Sequence, residues 1–161
     1  MIGVETDVSD EWDPRIDWPA LARSAVHAAI AHSRHPALSD SEVSVKFTSD
    51  EEVRALNANW RQKDKPTNVL SFPMAEEDEL DGAQLLGDVV LAHGVCAAEA
   101  AEKGIAVETH AAHLVVHGTL HLLGYDHETS DEDAEEMEDL ERRALAALGI
   151  PDPYELSEVQ S

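Results

Sequence analysis

Cysteine is nearly absent from this sequence: Cys96 stands alone among 161 residues. That excludes an internal disulfide and any zinc knuckle built from several thiolates. Its setting, "LAHGVCAAEAA", reads as an apolar helix in which the thiol is a small buried hydrophobe. Long apolar runs are missing too. None approaches the roughly 20 residues that a membrane helix needs, and the opening "MIGVETDVSDEWDP" is too acidic for a secretory signal or a transit peptide. The expectation is a cytoplasmic chain with no membrane partner. Basic residues are scarce, 11 Lys and Arg against 34 Asp and Glu, for a net charge of −23. That balance argues against the broad basic footprint of a casual nucleic-acid binder.

What remains is enough for a core. Apolar residues make up 43% of the chain, and its length suits one compact domain. No repeat or internal boundary interrupts it, so residues 1–154 are expected as the domain and 155–161 as a loose tail. Much of the acid is local: "EEDELD" at 76–81 reads as a solvated loop, and "ETSDEDAEEMEDLE" at 128–141 as the exposed face of a helix. The cations are scattered with one exception, Arg61, Lys63 and Lys65 in "WRQKDKPTNVLSFP". Such a group is either a solvated polar turn or a cationic spot that aims a phosphate at one place in an anionic molecule.

The order of elements predicts a small mixed sheet packed on about five helices, an α+β (mixed α/β) single domain. "IGVETDV", "SEVSVKFTS", "NVLSF" and "LLGDVVLA" read as strands, the last apolar enough to sit centrally. Asp17 caps a helix with Pro19 in its first turn, and Ser49 with Glu52 forms a capping-box pattern opening another through about Trp60. From His93 onward three helices follow, stopped by Gly104, Gly124, and Gly149 with Pro151.

The stretch "VVHGTLHLLGYDH" concentrates imidazoles. His117 and His121 lie four apart, which puts them one helical turn, ~6 Å, apart on one face. Two imidazole nitrogens so placed can reach one metal ion through bonds of ~2.0–2.1 Å. Gly124 then reverses the chain, and His127 can return as a third ligand. Three protein ligands leave the fourth tetrahedral position open, as in a catalytic zinc site. Asp126 and Asp88 are candidates to orient the imidazoles. His110 and His113 precede His117 by seven and four residues, so all four could share a helical face, and His113/His117 forms an alternative pair, but without a glycine turn to supply a third ligand. His113 is expected to pack behind the site. His27, His32, His35 and His93 carry no spacing signal.

The same spacing matches H-E-x-x-H-x-x-G-x-x-H of the metzincin peptidases in its histidines and glycine. The glutamate that activates water in those enzymes is missing, because Gly118 stands there. The metal geometry is peptidase-like and the peptide-cleaving chemistry is not. A phosphodiester is the substrate that a metal and a guanidinium can serve together, and Arg61, backed by Lys63 and Lys65, is the available cation. Trp60, Phe72 and Tyr125 are the rings on which a base could stack. Each is expected in the core, with Tyr125, next to Gly124, best placed to line the site.

Taken together, "LNANWRQKDKPTNVLSFP", "LLGDVVLA", "HGTLHLLGYDH" and "EMEDLERRALAALGIPDPY" resemble the YbeY family of bacterial rRNA maturation factors, from about Val43 to Tyr154. The resemblance implies a metal-dependent, single-strand-specific endoribonuclease. Its zinc, one ion per chain, falls on His117, His121 and His127, and its catalytic or RNA-binding arginine on Arg61. It also implies small ribosomal subunit proteins and assembly factors as partners, work on the 3′ end of small-subunit rRNA, and a part in ribosome quality control. Where relatives often have aspartate before "VLSFP", this chain has Asn68, which keeps a hydrogen-bonding group there.

The leading reading is a zinc-dependent endoribonuclease on single-stranded rRNA, with Arg61 binding phosphate, and Lys63, Lys65 and Tyr125 beside it. The sequence leaves open whether water activated at the metal or the RNA's own 2′-hydroxyl attacks. Two other readings stand beside it: a non-catalytic ribosome-assembly factor with a structural zinc, and a metal hydrolase on a non-RNA substrate.

Overall fold

The computed structural model describes residues 2–38, 41–64, 67–80, 82–125 and 130–151. Strand β1 (Gly3–Val8) leads to helix α1 (Trp18–His32), where the Asp17 carboxylate accepts the Ala20 N–H at 3.0 Å. That bond satisfies one donor the helix start leaves orphaned, and Pro19 costs nothing there because its missing N–H had no partner to lose. Strand β2 (Glu42–Thr48) buries alternate residues Val43, Val45 and Phe47. Helix α2 (Asp50–Arg61) opens on Ser49, whose hydroxyl accepts the Glu52 N–H at 3.1 Å. The Glu52 carboxylate is engaged elsewhere: it accepts the Thr48 hydroxyl at 2.7 Å and pairs with Lys46 at 2.9 Å.

Strand β3 (Val69–Pro73) and a short 3-10 turn at 77–79 precede strand β4 (Leu85–Ala92). Helices α3 (His93–Lys103), α4 (Val107–Leu122) and α5 (Asp131–Ala147) complete the order. The strands run β1-β2-β4-β3 across one sheet, parallel at the first two pairings and antiparallel at the last. β4 is internal, as its apolar sequence predicts, and β3 is an edge. The expected α+β fold with a mixed sheet and five helices is the one observed. The tail at 155–161 lies outside the described residues.

One face of the sheet carries the larger core. Val45, Val89 and Leu91 meet α1 and α4 there, with Met137 and Leu145 of α5 closing the layer behind. Each such side chain fully buried stabilises the fold by about 1.5–3 kcal/mol. The other face is smaller, with Val53 of α2 over Leu70, Val90 and Ala92. Between the sheet, α1, α3 and α5, helix α4 is buried almost all round, which is why its sequence is apolar on every side. At Gly118 it comes closest to the sheet: a Cβ there would lie 2.6 Å from Val89 Cγ1 and 3.0 Å from Ser71 Oγ. The end of α4 is thereby pressed against the edge strand.

Candidate metal centre and its cleft

Four histidines follow one another along α4, and their hydrogen bonds divide them into two pairs. His110 Nε2 meets Glu99 Oε1 at 2.8 Å, and His113 Nε2 meets Glu141 Oε1 at 2.9 Å. In the second pair the other ring nitrogen is used. His117 Nδ1 meets the same Glu141 oxygen at 3.0 Å, and His121 Nδ1 meets the Tyr125 carbonyl at 2.8 Å. A carbonyl can only accept, and so can an ionised carboxylate, so both Nδ1 atoms carry the hydrogen. In neutral rings that leaves a lone pair on each Nε2, and these two atoms face each other at 3.1 Å. Two lone pairs so close repel unless a cation lies between them. Tetrahedral coordination through bonds of ~2.0–2.1 Å puts ligand nitrogens about 3.3 Å apart, so the donor set fits a zinc ion.

Glu141 is the support the sequence reading missed. Its side chain is 1% exposed, and it enters from α5 to bridge His113 and His117. Burial pushes its carboxyl up, but the hydrogen bonds from His113 and His117 outweigh burial and hold it down at about 2. A signal was present. Met137, Leu140, Glu141, Ala144 and Leu145 are the buried stripe of α5, and a glutamate on an apolar stripe demands a partner inside. The expected orienting groups were Asp126 and Asp88. Asp126 lies outside the described residues. Asp88 is a correction, because strand alternation sends it with Val90 and Ala92 to the α2 face, while Val89 faces α4.

The turn after α4 is built by Gly124 in the left-handed region, φ 100°. The Tyr125 N–H reaches the Leu120 carbonyl at 3.1 Å, and the Gly124 N–H reaches that of His121, also at 3.1 Å. This is a Schellman cap, in which the residue after the glycine packs back on the helix. The Tyr125 ring accordingly lies in the core, 4% exposed, under the Arg34 guanidinium at 4.3 Å, with its hydroxyl accepting the Arg34 N–H at 2.8 Å. The ring is in the core, as expected, and Tyr125 also lines the cleft; so buried, the ring offers no face to a base, and the residue serves the site through its carbonyl. His127, the expected third ligand, lies outside the described residues.

His117 and His121 open into a cleft of about 650 Å³ at the β3 edge, which is also lined by Asn57, Arg61 and Lys63 at the end of α2. Gln62 takes the left-handed conformation, φ 58°, and the Lys63 N–H reaches back to the Asn57 carbonyl at 3.1 Å. Arg61 and Lys63 thus flank a helix C-terminus, where the dipole favours cations. Lys65 lies outside the described residues. None of the described residues lining the cleft is acidic, although the chain carries 34 Asp and Glu. Asn68 also borders it and is held in place, its amide donating to Glu99 at 3.1 Å while its carbonyl oxygen accepts the Val69 N–H at 2.7 Å. An aspartate at this position would set two carboxylates against each other. Trp60 reverses its expectation: it is 72% exposed.

A small α+β domain with a histidine-lined, cation-walled cleft defines the class of protein, and comparison with known proteins gives the family. The family model described as Endoribonuclease YbeY matches residues 8–149. The Endoribonuclease YbeY of Rhizorhabdus wittichii is 54% identical over 98% of this chain and 99% of its own. That of Novosphingobium aromaticivorans is 55% identical, over 94% and 95%. Among solved structures, the solution structure of TM1509 from Thermotoga maritima superposes with a TM-score of 0.57 at 26% identity, covering 92% of this chain and 91% of that one. The chain belongs to the YbeY family.

Proposed function

We propose that this protein is a zinc-dependent, single-strand-specific endoribonuclease that acts in rRNA processing at the 3′ end of the small-subunit rRNA and in ribosome quality control. The relatives' names supply the endoribonuclease activity. The observation that carries the metal-dependent reading is the meeting, in one cleft, of two lone-pair Nε2 atoms with Arg61 and Lys63. His117, His121 and His127 hold the ion, which when bound supplies Lewis-acid polarisation and lowers the pKa of a coordinated water to about 7. Glu141 and the Tyr125 carbonyl fix the two described imidazoles in the tautomer that offers Nε2. Arg61 binds phosphate with the fork geometry of its guanidinium, and Lys63 and Lys65 add charge. The absence of acid among the described lining residues supports phosphate binding despite the net charge of −23: the cleft admits RNA, and the acidic exterior repels it elsewhere. Ribosomal partners and a cytoplasmic location belong to the same proposal. A peptidase role is disfavoured by Gly118, since the tight contact with Val89 leaves no room for the missing glutamate.

The test is cleavage of an end-labelled single-stranded rRNA fragment by zinc-loaded protein, beside Arg61→Ala and His121→Ala, with metal content and melting recorded. The proposal expects both variants to lose cleavage, Arg61→Ala while folded and zinc-loaded. An inactive wild type with a collapse of His121→Ala alone would make the zinc structural and the protein a binding factor.

A further inference from the structure

Aromatic residues are 4% of this chain, and the described ones are buried or half-buried with one exception. Trp12 and Trp18 are 1% and 2% exposed, packed edge to face against each other. Trp60 is 72% exposed. It lies in the last turn of α2, three residues after Asn57 and directly before Arg61, both of which line the cleft. Helical spacing puts Asn57, Trp60 and Arg61 on one side of the helix. Val53 and Asn57, nearer the start of that side, are buried, and by Trp60 the helix has run past its cover. The exposed indole thus sits next in sequence to Arg61, which lines the cleft together with Lys63 just past the helix end.

We infer that Trp60 is a base-stacking platform for single-stranded nucleic acid entering the cleft. The inference rests on the proposed RNA substrate and names how it is gripped. A nucleotide offers an anionic phosphate and a flat base about one side chain apart, which matches Arg61 beside Trp60. Only an unpaired strand can turn a base face toward a protein ring, so the platform selects single strands over duplexes and tolerates any base.

The position of the ring makes it its own reporter. Of the three tryptophans, only Trp60 is open to solvent, so solvent-side quenching of the fluorescence reads that residue. Zinc-loaded full-length protein is mixed in stopped flow with a short single-stranded RNA, with its duplex, and with inorganic polyphosphate, and the emission is read before cleavage. Quenching by the single strand and not by polyphosphate is expected. Replacing Trp60 by Ala should weaken RNA affinity about 5–150-fold, the range for one stacked base, with Trp60→Phe close to wild type. Polyphosphate affinity, zinc content and the melt should stay unchanged. RNA that binds and is cut without quenching, and equally well by Trp60→Ala, overturns the inference and leaves the proposed function standing; the ring then serves another partner, such as a protein surface. Equal quenching by polyphosphate overturns it as well. A wild type that neither binds nor cuts RNA defeats the proposed function, and this inference with it.

Discussion

The two halves of α4 each carry a pair of histidines, three apart in one and four apart in the other, and put them to opposite uses. In the interior half, His110 and His113 spend Nε2, the nitrogen farthest from the backbone, on Glu99 and Glu141. In the cleft half, His117 and His121 spend Nδ1, on Glu141 and the Tyr125 carbonyl, and turn their Nε2 atoms toward each other, 3.1 Å apart. Spacing alone cannot separate a structural histidine from a ligand. What separates them is which nitrogen the surroundings consume, and here one carboxylate oxygen takes Nε2 from His113 and Nδ1 from His117.

Breaking the cleft half should have the largest effect. His121→Ala is expected to lose zinc affinity by more than the roughly 10–100-fold that loss of a supporting partner costs, measured by chelator competition. His110→Ala should leave zinc affinity near wild type and lower the melt instead. Glu141→Gln touches both halves. The amide oxygen can still accept both ring N–H groups but carries no charge, so zinc affinity should fall about 10–100-fold, and the loss of two charge-assisted bonds in the interior should cost about 1–3 kcal/mol in urea unfolding. Gly118→Ala tests the contact that sets α4 on the sheet. The added methyl meets Val89, and the melt should drop by the equivalent of about 1–3 kcal/mol with little change in zinc affinity per folded molecule.

Smaller effects sharpen the interior half. Burial lowers the His110 pKa from its ordinary 6.5, against the opposing pull of Glu99. The unfolded chain takes up a proton as pH falls through that value before the folded chain does. Stability from this residue is therefore complete above about pH 6.5 and lost as pH falls below it. Urea midpoints between pH 7.5 and 5.5 should decline, and less steeply in His110→Gln. The smallest effect concerns Cys96, whose thiol burial, reinforced by Glu99, pushes up to about 12. Iodoacetamide at pH 8 should label it only after denaturation.

Much of the fold was legible because hydrophobic period and punctuation agree: alternation in "EVSVKFT", capping groups at Asp17 and Ser49, and glycines that end the later helices. In the site, the His117/His121 pair was legible from spacing. What escaped depended on parity and on neighbours in space. Asp88 could be assigned to a sheet face only once Val89 was seen against Gly118. The use of the Tyr125 carbonyl was not legible, because it depends on the cap that turns the chain and folds this residue back onto the helix. Trp60 is expected inside on its residue type alone, which does not report that the last turn of α2 leaves it 72% exposed. Glu141 announced itself as a charge on an apolar stripe, but its partners are 24 and 28 residues away in sequence.

The most direct test of the division along α4 is long-range proton–nitrogen NMR of the histidine rings in the zinc-loaded protein. The account predicts His117 and His121 as Nδ1–H tautomers with Nε2 shifted by the metal, and His110 and His113 as Nε2–H tautomers that zinc does not shift as ligands. Zinc bound through a Nδ1 atom, or a metal-shifted His113, would contradict it.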